Sequence, residues 1–182
     1  MAHRLSAVLV MAVLASCASS TTTTGAPAAP QTIRVGAGGT GGRVTVNATS
    51  TAAVASIAHP VADVWRVLPL VFDTLAIPKG LVDPSTHVIG NQGMKIRQRL
   101  GSTPLSRFIE CGTTQIGPNA DSYEVYLTIT TQVSSESATS TSIATTVDAA
   151  ARPLAFAQEY ARCSSKGILE QRIAEAVRNR LR

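Results

Sequence analysis

The residues of this chain best suited to chemistry are three cysteines, Cys17, Cys111 and Cys163, two of its three histidines, His59 and His87, and scattered carboxylates. A thiol can act as nucleophile, metal ligand, lipid attachment point or half of a disulfide. No two of these cysteines have the Cys-x-x-Cys redox spacing. Neither histidine has a second histidine or a carboxylate at a metal-ligand spacing. His59, an aspartate and a serine would be the parts of a hydrolytic triad, but no Gly-x-Ser-x-Gly elbow supports one. Gly38-Gly39-Thr40-Gly41-Gly42 lacks the Lys-Ser/Thr ending and the following helix of a phosphate-binding loop, and reads as a turn. Asn119 and Asp121 follow Gly117-Pro118 and suit a turn, with ligand contact as the sharper alternative. The reading predicts no catalytic residue, no metal and no cofactor; an unidentified hydrolase is the enzymatic alternative.

Cys17 has a specific setting. Arg4, with His3 beside it, precedes the apolar run from Leu5 to Leu14, and Ala15-Ser16 supplies small residues. These are the three parts of a secretory signal. The run is shorter than the roughly 20 residues that span a bilayer. Leu14-Ala15-Ser16-Cys17 resembles the bacterial lipobox. That resemblance implies cleavage before Cys17, lipidation of its thiol and acylation of the new amine. The competing reading is an ordinary signal peptide with Cys17 incidental. Ala18 and Ser19 carry no aspartate, which by the same resemblance implies the periplasmic face of the outer membrane. The membrane, through acyl chains, is then the first expected partner.

With Cys17 set aside, Cys111 and Cys163 have one possible connectivity. An oxidising envelope permits a disulfide between them. Free thiols or a metal site compete, although two cysteines without a nearby histidine make a poor zinc set. The formal net charge of +5 and a pI near 9.6 imply mild attraction to anionic surfaces. Nucleic acid is not expected, because export removes the chain from it and the basic residues are not interleaved with aromatics.

The expected organisation is a signal peptide over 1–16, the lipidated cysteine and a flexible tether over 17–31, and one α+β domain over 32–182. Thr32–Ala37 and Arg43–Ala48 read as strands around the glycine turn. Ala52–Ala58 is a strand, and His59-Pro60 opens a helix. Val61, Val64, Trp65, Leu68, Phe72 and Leu75 make its apolar face. Pro69 predicts a kink or a split into two helices. Thr86–Gly90 and Met94–Leu100 read as a hairpin around Asn91-Gln92-Gly93, and Ser106–Cys111 as a further strand. Tyr123–Val133 alternates Val125, Leu127, Ile129 and Thr131 against Tyr126, Thr128 and Thr130. Ser140–Ala150 returns after a turn at Ser134–Ser137. A terminal helix starts near Ser164 or Ser165, with Ile168, Leu169, Ile173, Val177 and Leu181 as its stripe and Ala176 against the sheet.

Lys95, Arg97 and Arg99 share one strand face at period two and form a basic stripe, either a wet sheet face or a surface for a partner or headgroups. Tyr123, Tyr126 and Tyr160 are the candidate ligand-binding residues, with half-buried strand positions as the alternative.

This order of elements resembles the helix-grip fold of the START and Bet v 1-like superfamily, in which a curved antiparallel sheet wraps a C-terminal helix. Ala55-Ser56-Ile57-Ala58-His59-Pro60-Val61-Ala62-Asp63-Val64-Trp65 is similar to that superfamily's opening. By location and fold the chain also resembles BamC-like envelope lipoproteins. Two functions follow as expectations. One is a non-catalytic envelope lipoprotein that serves as a protein-interaction or assembly module. The other is a binder or sensor of a small hydrophobic ligand held between sheet and terminal helix.

Overall fold

The structure, a computed structural model, describes residues 31–34, 43–46, 52–155 and 158–182. The expected signal peptide, Cys17, the expected tether up to residue 30 and the expected turn at Gly38–Gly42 lie outside the described residues. Apart from two pairs of two-residue strands, Arg99–Leu100 with Thr103–Pro104 and Thr113–Thr114 with Gly117–Pro118, the strands are β1 (Gln31–Arg34), β2 (Arg43–Val46), β3 (Ala53–Ile57), β4 (Leu81–Asp83), β5 (Val88–Gly90), β6 (Met94–Arg97), β7 (Ile109–Glu110), β8 (Glu124–Ser137), β9 (Ser140–Arg152) and β10 (Ala161–Ser165). The helices are α1 (Val61–Thr74), the short α2 (Asn119–Ser122) and the C-terminal α3 (Ile168–Arg180). The fold is α+β. β1 and β2 pair with each other, and β3 to β10 form one antiparallel sheet.

The long hairpin of β8 and β9 is the spine of that sheet. Buried and less buried residues alternate along most of it, as in a two-faced strand, except at Glu124 and Ala150, which are also covered on the outer side. Val125, Leu127, Ile129, Thr131 and Val133 are buried on one side, opposite Ala151, Ala149, Val147, Thr145 and Ile143. The two buried hydroxyls in this row, Thr131 and Thr145, bond each other at 3.0 Å. Helices α1 and α3 lie against this face and against each other. α1 buries Val64, Leu68, Val71 and Phe72; α3 buries Leu169, Ile173, Ala174 and Val177. Trp65 of the expected stripe is only half-buried and meets His87 edge-on at 5.4 Å.

Pro69 does not split α1, which runs unbroken from Val61 to Thr74. An interior proline costs about 3 kcal/mol. Full burial of Leu68, Val71 and Phe72 on either side contributes about 1.5–3 kcal/mol per side chain, which outweighs that cost.

Nor do residues 88–97 form a hairpin. β5 and β6 run end to end along the same edge of β8. Asn91, Gln92 and Gly93 stand opposite Thr128 and Ile129, three residues against two, and make a bulge rather than a turn. The Asn91 amide donates to the Ile129 carbonyl at 2.9 Å and the Gly93 amide to the Thr128 hydroxyl at 3.0 Å. Gly90 must be glycine here, because a Cβ would stand 2.2 Å from the Ile129 carbonyl oxygen. The expected strand over 94–100 also ends early. Gln98 takes a left-handed φ of 62°, and Arg99-Leu100 folds back onto Thr103-Pro104.

Further differences lie in the second half of the chain. β10 was not expected; it pairs with β9 and β7. The final turn of the spine falls after Ser137, so β8 extends through the serines expected to turn. α3 starts at Ile168, not near Ser164, because Gly167 takes the entry conformation at φ 74°. Ser165 still organises that entry. Its hydroxyl accepts from the Gly167 amide and donates to Glu170 at 2.5 Å. Ala174, rather than Ala176, is the fully buried small residue of α3.

Cys111 and Cys163 form a disulfide, with Cα atoms 4.4 Å apart. Cys163 lies within β10 and Cys111 just beyond β7, so the bond ties two neighbouring strands and not the terminal helix directly. The partners are 52 residues apart in sequence. In the chain-entropy account a loop of that length stabilises by about 4 kcal/mol. Urea unfolding with and without dithiothreitol should show a stability loss of about 2–4 kcal/mol on reduction. An unchanged midpoint would mean that the bond adds nothing to the folded chain.

Candidate functional site on the outer sheet face

The face of β8 and β9 that points away from the helices carries most of the chain's organised polar chemistry. The register lines up Arg97 of β6, Glu124 of β8 and Arg152 of β9 in one row across the sheet. The next row outward-facing along the strands is Lys95, Tyr126, Ala150 and Arg162. Tyr160 directly precedes β10 and folds over both rows.

Glu124 is the centre. Only 3% of it is exposed, although it sits on the outer face. Its Oε1 accepts from the Tyr160 hydroxyl at 2.6 Å and from Arg152 Nη2 at 3.0 Å. Its Oε2 meets Lys95 Nζ at 2.9 Å and Arg97 Nη2 at 3.3 Å. Burial alone pushes this carboxyl up. The hydrogen bonds from Tyr160, Lys95, Arg97 and Arg152 outweigh burial and hold it at about 2. Desolvation, and the bond to Glu124, push the Tyr160 phenol well above its ordinary range, so it remains a donor.

The rings complete the cluster. Tyr126 and Tyr160 meet edge-on with centroids 4.6 Å apart. The Arg152 guanidinium lies 4.6 Å over the Tyr160 ring, and Lys95 Nζ 6.0 Å over Tyr126. Ala150 is small, which leaves room for the rings above it. Arg162 pairs with Asp148 at 3.4 Å on the same face. Four cations and two carboxylates therefore share the patch, with a positive excess. Lys95 and Arg97 remain about half exposed, at 52% and 58%. The arrangement can present fixed positive charge and aromatic edges to an anionic surface. Both oxygens of its buried carboxylate, Glu124, are taken up by donors.

The sequence-level candidates divide accordingly. Lys95 and Arg97 do share a face, but Arg99 leaves the stripe after Gln98 and donates to the Ser102 carbonyl at 2.9 Å. Tyr126 and Tyr160 come together, but on the face opposite α3, so they line no space beneath that helix. Tyr123 is apart from them, packed against the core. Asn119 and Asp121 serve local structure. Asn119 Nδ2 donates to the Cys111 carbonyl, and Asp121 accepts from the amide and hydroxyl of Ser106 at 2.8 and 2.6 Å. The two histidines also sit in backbone roles. The His59 carbonyl accepts from the Thr141 hydroxyl, and the His87 carbonyl from the Val133 amide. Glu124 and Arg152 escaped sequence reasoning. The available signal was an acidic residue at a strand start, in phase with Tyr126, near a basic stripe that needs a counter-charge.

Among the described residues, no cluster of three or more histidines, cysteines or carboxylates is placed to hold a metal ion. No described helix is long and apolar enough to cross a membrane. Compared with known proteins, the chain matches no family model, no curated protein and no solved structure at a significant level.

Glu124 takes up its proton at about 2 when folded and near the ordinary 4.5 when unfolded. Its stabilising contribution is therefore present above pH 4.5 and is lost as pH falls from there through about 2. Asp83, held at about 2 by the Ser85 and Thr86 hydroxyls and the Ser85 amide, acts with the same sign. The diagnostic is thus the difference between variants. Glu124→Gln should cost about 2 kcal/mol at pH 7, since one charge partner is removed from a buried cluster. The gap to the parent should narrow on acidification below pH 4.5 in urea melts.

Proposed function

We propose that the chain is a non-catalytic, lipid-anchored envelope protein whose outer sheet face docks a partner protein at the membrane surface. The observation that carries this reading is the Glu124 cluster. One buried carboxylate fixes Lys95, Arg97 and Arg152 beside two tyrosines, on a face that the long helices leave open. Arginine and tyrosine are favoured interface residues, and side chains already held in place lose less entropy on binding. The lipobox-like Leu14-Ala15-Ser16-Cys17 supports the anchor, and several acyl chains hold a protein to a membrane where one does not. The open antiparallel sheet with a C-terminal helix on one face supports a helix-grip assignment.

The alternative, a small hydrophobic ligand between sheet and terminal helix, has less support. Leu169, Ile173 and Val177 of α3 fill that space with Ile143, Val147 and Leu127. A crevice of about 180 Å³ remains at the β3 end. Small-molecule pockets are usually about 300–1,000 Å³.

Expression of the full chain in a bacterial host with labelled palmitate tests the anchor. Label should enter the parent and be absent from Cys17→Ser. In-membrane cross-linking followed by detergent extraction should recover a stoichiometric protein partner. Lys95→Glu with Arg97→Glu should reduce its yield at least tenfold, while Arg66→Glu on α1 should not. A chain that is repeatedly solitary, or a yield that ignores the charge reversal, refutes the docking role.

A further inference from the structure

Among the described residues, β3 is an edge strand. Among the described residues its only ladder partner is β9, so one side of Ala53–Ile57 lacks a strand neighbour. An unpaired edge is a template for another strand. The chain guards one point of it. Arg178, at the end of α3, donates to the Ser56 carbonyl at 3.2 Å. In an antiparallel ladder alternate residues point to the same side, so Val54 offers its amide and carbonyl in the same direction as Ser56. The Val54 side chain is 67% exposed, unusually high for a valine in a sheet.

Beside this edge lies the crevice of about 180 Å³ between β3 and α3. Its apolar lining is small: Ala53, Ala55, Ile143 and Ala174. Its polar lining is Thr145, Glu170, Gln171, Glu175 and Arg178, and the buried member with an unpartnered oxygen is Glu170. This residue is 5% exposed. One carboxylate oxygen accepts from Ser165, and the other, Oε2, is buried without a hydrogen-bond partner among the described residues. A buried acceptor of this kind is costly unless a donor reaches it. The donor that suits it is cationic, because ionised pairs make the stronger bonds. The crevice is the size of one long side chain rather than of a whole ligand.

We infer that the edge of β3 and the Glu170 crevice together form a strand-addition site for an extended peptide segment of a partner protein, with one lysine or arginine side chain inserted against Glu170. The backbone pairs with Val54 and Ser56, and the charged side chain sets the register. Main-chain bonds supply affinity and the single pocket supplies specificity, as in other strand-addition complexes. Arg178 is then a guard that the incoming strand displaces from the Ser56 carbonyl. The inference takes from the docking reading only that a partner protein exists. It does not involve Lys95, Arg97 or Glu124.

The probe is a synthetic peptide, acetyl-Thr-Val-Arg-Val-Thr-amide, titrated into the full chain in detergent and followed by amide chemical shifts. The Val54 and Ser56 amides should shift. The same peptide with glutamate in place of arginine should bind at least tenfold more weakly. Glu170→Gln should weaken the arginine peptide about tenfold, while Arg178→Ala should tighten it about threefold by removing the guard. A thermal melt of each variant separates loss of binding from loss of fold. Lys95→Glu with Arg97→Glu should leave peptide affinity unchanged, so failure of the cationic face and failure of this site are distinguishable. Absence of binding, equal affinity for the two peptides, or shifts confined to residues away from β3 would overturn the proposal.

Discussion

The pairing of Glu124–Ser137 with Ser140–Arg152 is the constraint on which the rest of this structure depends. A β-strand has a side-chain period of two, so a one-residue slip would exchange its faces. The observed register puts Val125, Leu127 and Ile129 under the helices, and in the same stroke puts Glu124 and Tyr126 outside. Every shorter strand of the sheet takes its place from this hairpin or from a strand attached to it. The core and the charged patch are thus two readings of one register, and neither can be moved without the other.

Glu124 makes that register expensive to leave. A carboxylate removed from water destabilises unless its oxygens are satisfied. Here the donors come from three other segments, Lys95 and Arg97 on β6, Arg152 on β9 and Tyr160 before β10. Slippage of β6 or β9 by one position would send its cation to the other face and leave the charge unpaired. The attraction also holds the cations at fixed spacing. They are half exposed, so each pair alone would contribute little, but four donors converging on one buried group act as a unit. The same contacts that specify the sheet therefore preorganise its outer surface for recognition.

Much of this was legible in local pattern. The strict alternation after Tyr123 located the inner and outer faces of β8, and the three-to-four-residue stripes located α1 and α3. Cysteine counting, once Cys17 was assigned elsewhere, left the pair that the structure joins. What could not be read was long-range. Asn91-Gln92-Gly93 has turn residues whether it closes a hairpin or makes a bulge; only the presence of β8 alongside decides. Gln98 has no compositional mark of a left-handed residue, so Arg99 was placed in a stripe it leaves. β10 has a single buried residue, Cys163, and too little alternation to announce itself. Pro69 was read by its local cost, which the burial of its neighbours overrides. Glu124 became a centre only through partners 27 to 36 residues away.

The two surfaces of interest are also separated by this hairpin. Glu124 pairs with Arg152 at one end of it, whereas β3 pairs with residues 141–145 towards the other. Arg152 stands eight positions beyond Ala144, or about 27 Å of strand at about 3.4 Å per residue. That is some three Debye lengths at physiological salt, where the screening length is about 8 Å. An approaching anionic surface at the outer patch and a strand at the β3 edge therefore meet different ends of the hairpin. One surface is an excess of positive charge held by a satisfied acid, the other an unsatisfied acid beside an open backbone edge. A rigid ladder joins them, so their spacing is set by strand rise rather than by loop conformation.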